Sequence, residues 1–164
     1  MTYFTSNQDE TISINVTGRY YIGDPCYCFS HSTDTWDALC ASWFIGDNKT
    51  GIAKSRNNVE VIGLHTAYGD GNYPGYVNNV RHSFPVDAGM IGVVPVDFIE
   101  DDSTFNCDGE NVGVIITLHA GDTVWSENGD FYIEGNDTKV VIITNDDDTD
   151  YSDEEEYDFY GDDE

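Results

Sequence analysis

The chain of 164 residues carries 32 Asp and Glu against 6 Lys and Arg, a formal charge of −26 at pH 7. It is 39% hydrophobic and 13% aromatic, enough for a modest core, and it has no apolar run long enough to span a bilayer. So anionic a surface repels nucleic acid and anionic lipid, which argues against direct binding to either, and the length fits one domain with a tail.

The first ten residues lack a basic region followed by an apolar stretch, so no secretory leader is expected. The four cysteines (Cys26, Cys28, Cys40 and Cys107) then read as reduced thiols, and the expected location is cytoplasmic. Thr11 to Val16 alternates with period two and reads as a half-buried strand, with Arg19 to Ile22 as its hairpin partner beyond Gly18. Gly23-Asp24-Pro25 ends that pair. If Cys26 and Cys28 lay on a strand they would share one face, which suits core filling, and their spacing is too short for a zinc pair.

Trp36, Leu39, Cys40, Trp43 and Phe44 recur at helical spacing and predict one amphipathic helix packed across a sheet, capped by Asp34 and ended by Gly46. Val59 to Thr66 reads as a strand running into the Gly69-Asp70-Gly71 turn. Met90 to Val94 reads as a short buried strand, with Pro95 opening a brief helix after it. The last third predicts a meander with strands at 112–118, 123–126, 131–134 and 139–144. Asn128-Gly129 and Gly135-Asn136-Asp137 supply its turns.

The expected fold is therefore α+β and mainly β: an antiparallel sheet or partly closed barrel with one packed helix, over residues 1–145. Residues 146–164 form an acidic tail without an aliphatic side chain, expected to be disordered in isolation.

Three elements stand out: Gly23-Asp24-Pro25-Cys26-Tyr27, Tyr68-Gly69-Asp70-Gly71-Asn72-Tyr73 and Val86-Asp87-Ala88-Gly89-Met90-Ile91-Gly92. As an ordered set they resemble elements shared by a group of small, mostly uncharacterised proteins of bacteriophages and bacteria. The likeness spans roughly residues 19–99. It implies a phage-type origin, hence a host-cell cytoplasm as the working place, and it implies no activity. Each element puts one Asp in a Gly-containing turn. Asp24, Asp70 and Asp87, with His65, are therefore one candidate ligand or metal site. The other reading of each Asp is an acceptor for backbone N–H groups in its own turn. No local spacing matches a metal-binding motif or a catalytic nucleophile, so neither a cofactor, a metal nor an enzymatic activity is expected.

Charge is the stronger signal. Residues 97–164 hold twenty-three carboxylates against one base, Lys139, and residues 146–164 hold twelve with none. Duplex DNA presents one charge per ~1.7 Å of axis. The tail presents one per ~5 Å if extended and one per ~2.4 Å if helical. Its density thus approaches that of nucleic acid. Tyr151, Tyr157, Phe159 and Tyr160 could fill base-stacking positions in a single-strand groove. The expected partner is a basic host protein that handles nucleic acid. It would be met by Glu100, Asp101, Asp102, Asp146, Asp147, Asp148, Asp150, Asp153, Glu154, Glu155, Glu156 and Asp158. Loop acids from Glu100 through Asp137 are expected to continue the same negative face. A virion or assembly component with an inert acidic tail is the remaining alternative.

Overall fold

A computed structural model describes residues 2–30, 34–44, 50–55, 57–107 and 112–145. The strands are β1 (Phe4–Ser6), β2 (Ile12–Ile14), β3 (Gly18–Gly23), β4 (Ile52–Lys54), β5 (Glu60–His65) and β6 (Gly71–Val77). They continue with β7 (Val80–Val86), β8 (Met90–Pro95), β9 (Gly113–Leu118), β10 (Thr123–Glu127), β11 (Asp130–Glu134) and β12 (Lys139–Ile142). Among the described residues the one long helix is α1 (Asp34–Phe44), and α2 (Thr104–Cys107) is a single turn.

The strands form two antiparallel sheets. The first runs β1-β2-β10-β11-β12-β6-β7 and the second β4-β5-β8-β3-β9. One core lies between them, with Phe4, Ile12, Ile14, Phe84, Phe131 and Ile142 from the first sheet meeting Tyr20, Ile22, Ile62, Ile91, Val93 and Leu118 from the second. A second core lies on the other side of the second sheet, where Tyr21, Val61, Met90 and Val94 meet Leu39 and Trp43 of α1 and the 3-10 turn Pro25–Cys28. The layers are thus sheet, sheet and helices, and among the described residues no element packs on the outer face of the first sheet.

This layering explains the hydrophobic patterns. β3, β5 and β8 are covered on both faces, so Tyr20–Gly23, Glu60–Gly63 and Met90–Pro95 are continuously buried. β11 and β12 are covered on one face and alternate. A side chain of Leu, Ile or Phe buried in this way contributes roughly 1.5–3 kcal/mol.

The second sheet carries a glycine track. Gly63, Gly92, Gly23 and Gly113 are register partners across β5, β8, β3 and β9. A Cβ on Gly63 would sit 2.9 Å from the Trp43 ring, and one on Gly113 would sit 2.4 Å from Tyr21. The track lets Trp43 and Tyr21 lie flat on the sheet, so α1 and the 3-10 turn pack closely.

The mainly-β α+β class with one packed helix is as expected, with the sheet doubled and no closed barrel. Three readings are corrected. β2 and β3 are not a hairpin: β2 pairs with β1 and β10, and β3 with β8 and β9. Their apolar residues face one core from opposite sheets. The C-terminal strands are not one meander, because β9 joins β3 in the second sheet while β10, β11 and β12 follow one another in the first. Cys26 and Cys28 lie on a 3-10 turn, not a strand, and both are buried with free thiols. Gly46, the expected helix end, falls outside the described residues. Among the described residues, no helix is long and apolar enough to cross a membrane.

Candidate functional site

The three motif elements meet at one junction. Asp24 follows the last residue of β3 and is completely buried. Its Oδ1 accepts from the Cys26 N–H at 2.9 Å, and its Oδ2 accepts from the Asp87 and Ala88 N–H groups at 2.7 Å each. The Tyr27 hydroxyl donates to Asp87 Oδ2 at 2.6 Å. The Gly89 carbonyl accepts from the Thr66 N–H at 3.1 Å, and Asp70 Oδ1 lies 3.9 Å from where a Gly89 Cβ would be. One buried carboxylate therefore ties the turn after β3 to the loop between β7 and β8, and that loop rests on the turn before β6.

The electrostatics agree with a structural staple. Burial raises the Asp24 carboxyl, and the three backbone N–H donors pull against that rise. Burial, then the Asp24 carboxylate, pushes the Cys26 and Cys28 thiols up, which makes them poor nucleophiles at neutral pH. Burial and the hydrogen bond to Asp87 push the Tyr27 phenol up.

His65 stands apart from this junction, exposed at the end of β5 with its ring 5.7 Å from Phe44. Among the described residues, no group of three His, Cys, Asp or Glu side chains could hold a metal. Asp24 and Asp87 thus meet at the junction, with both Asp24 oxygens already occupied by backbone donors, and Asp70 stands in the turn beside Gly89.

The acids of the second half divide into structural and exposed groups. Glu100 Oε1 accepts from the Ser30 N–H at 2.7 Å, which fastens it to the helical layer. Asp122 is buried and accepts from the His119 N–H at 2.9 Å. Asp130 Oδ1 accepts from the Thr144 and Asn145 N–H groups at 2.9 and 2.8 Å. Asp101, Asp102, Glu127, Glu134 and Asp137 are exposed. Asp101 and Asp102 follow the helical layer, whereas Glu127 and Glu134 lie at opposite ends of the β10–β11 pair. The described acids of this half are thus carried by loops of both sheets. Asp108 and Glu110 lie outside the described residues. So do Asp146, Asp147, Asp148, Asp150, Asp153, Glu154, Glu155, Glu156 and Asp158, and with them Tyr151, Tyr157, Phe159 and Tyr160.

Sequence reasoning missed the outer face of the first sheet. Trp125, Tyr132, Val141, Tyr76 and Arg81 are consecutive register partners on β10, β11, β12, β6 and β7. Trp125, Tyr132, Val141 and Tyr76 each lie one residue from a core position, and Arg81 lies three from Phe84, so the row points outward. The Trp125 and Tyr132 rings stack, with centroids 5.3 Å apart and planes 16° apart. The strand alternation carried this parity, but the strand order that aligns the row did not show in the sequence.

No family model, curated protein or solved structure matches the chain.

Proposed function

We propose that the protein is a phage-type accessory protein that acts without catalysis, as a polyanionic docking partner or inhibitor of a basic host protein. The observation that carries this reading is the one-sided charge of residues 97–164, twenty-three carboxylates against Lys139 alone. A field of that size steers a basic partner into contact and competes with nucleic acid for the same cleft. The exposure of Asp102, Glu127, Glu134 and Asp137 supports it, since exposed charges can meet a partner. The saturation of Asp24 by backbone donors weighs against the ligand-site alternative.

The test is affinity capture from a bacterial lysate with the full chain and with a full-length variant whose acids in 146–164 are changed to Asn and Gln. The expected result is a basic, nucleic-acid-binding protein held by the native chain, released by duplex DNA, and held much less by the variant. Equal capture by both chains, unaffected by DNA, would overturn the reading.

A further inference from the structure

Among the described residues the two sheets end in four edge strands, β1 and β7 in the first and β4 and β9 in the second. An edge strand presents unpaired N–H and C=O groups, and short length, charge or proline ordinarily keeps other chains from pairing with them. β1 and β4 have three residues each, and β4 ends in the exposed Lys54. β7 carries Arg81, His82 and Pro85. β9 has none of these guards. Its six residues, Gly-Val-Ile-Ile-Thr-Leu, include no charge and no proline.

The free side of β9 is also open. The strand pairs with β3 along its whole length, from Gly113 opposite Gly23 to Leu118 opposite Gly18, and with no other described strand. Val114 and Ile116 pack on the core between the sheets and Ile115 on the helical layer, yet all three are only half-buried, and Thr117 is exposed. Their register partners on β3, Ile22, Tyr20 and Tyr21, are at most 1% exposed. What β9 lacks and β3 has is a neighbour on the second side.

We infer that the basic partner docks by adding one of its own β-strands to the free edge of β9. Main-chain hydrogen bonds supply the affinity, and Val114, Ile115 and Ile116 supply apolar contacts on the two faces. Charge selects the occupant. β9 is neutral, but acids stand close to both of its ends. Asp101 and Asp102 precede α2, whose Phe105 ring lies 5.5 Å from that of Tyr21, the register partner of Ile115. Asp108 and Glu110 come just before the strand in sequence. Beyond Leu118, Asp122 and Asp137 line one cavity of about 200 Å³. A strand with Lys or Arg at its ends is drawn to such an edge, whereas a second copy sets −26 against −26, and residues 146–164 bring twelve carboxylates. This inference rests on the docking reading for the sign of the partner, and it adds the edge that the partner meets.

The experiment titrates the full chain with a short peptide of alternating Thr and Val with Lys at both ends, and with the same peptide methylated on its backbone nitrogens. Binding is measured by calorimetry, and hydrogen exchange at residues 114–117 is followed by NMR. The expected result is slowed exchange on β9 with the first peptide and no binding of the second, which has lost its donors. Thr117→Lys places a guarding charge at an exposed position and is expected to weaken binding about fivefold. Equal binding of the methylated peptide, unchanged exchange on β9, or no binding of either peptide overturns the inference. So does a dimer in sedimentation that Thr117→Lys dissolves, since a second copy then holds the edge.

Capture from the lysate separates the two readings. If Thr117→Lys holds the basic partner as the native chain does, docking stands and the β9 edge falls. If the peptide slows exchange on β9 equally with Ser in place of its Lys, and the variant with neutralised residues 146–164 captures as the native chain does, the edge stands and the polyanion reading falls.

Discussion

Asp24 is the residue on which the motif junction depends. Asp24→Ala leaves three backbone N–H groups without their acceptor, those of Cys26, Asp87 and Ala88. At about 1–3 kcal/mol per unsatisfied buried group, the expected loss is ~3 kcal/mol or more in chemical denaturation. Burial raises its carboxyl, so the folded state holds that proton to higher pH than the unfolded chain does. Its contribution to stability therefore falls as pH rises from the ordinary carboxyl value, about 3.9, through the folded one. Tyr20 behaves similarly at alkaline pH. Burial, with Tyr3 and Glu60 nearby, pushes its phenol to about 12. The stability from its neutral form is full below about 10 and lost as pH rises through the folded value. A spectrophotometric titration is expected to show at least one tyrosine ionising only near pH 12. Cys26 and Cys28 are expected to resist alkylation until the protein unfolds, which mass spectrometry of the treated protein reads directly.

The glycine track decides how the elements pack. A Cβ on Gly92 would come 1.7 Å from the Ile62 carbonyl oxygen, a backbone atom that cannot swing aside. Gly92→Ala is therefore expected to cost about 3 kcal/mol or to prevent folding. Gly18→Ala, with nothing within 4 Å of the new methyl, is expected to be neutral or slightly stabilising, and paired thermal melts compare the two. The elements differed in how well the sequence revealed them. α1 and the strands β10 to β12 follow their periods closely, because each has one wet face. The β6–β7 hairpin was not read at all. Pro74, Gly75 and Pro85 interrupt its pattern, and proline ordinarily argues against a strand. β7 tolerates Pro85 because it is an edge strand. The change of sheet after β2 and again after β9 was hidden for another reason: residues facing a shared core look alike from either side of it. The site followed the same division. The motif elements pointed to a junction, and the charge pointed to a partner, but Trp125, Tyr132 and Tyr76 align only through the strand order.

At the scale of the whole molecule, −26 on 164 residues makes the compact state repel itself. The melting temperature is expected to rise with added salt, most steeply at low ionic strength where screening is weakest. A melting temperature independent of salt would mean that the charges are locally compensated and not free for a partner. The same field governs association, since each cation of the partner that replaces a counterion makes binding weaker in salt. The most direct measurement is the affinity of the chain for its captured partner, taken across a salt series with and without duplex DNA. The expected result is an affinity that falls steeply with salt and a DNA competitor that excludes the protein. A salt-insensitive complex that binds DNA at the same time would contradict the account.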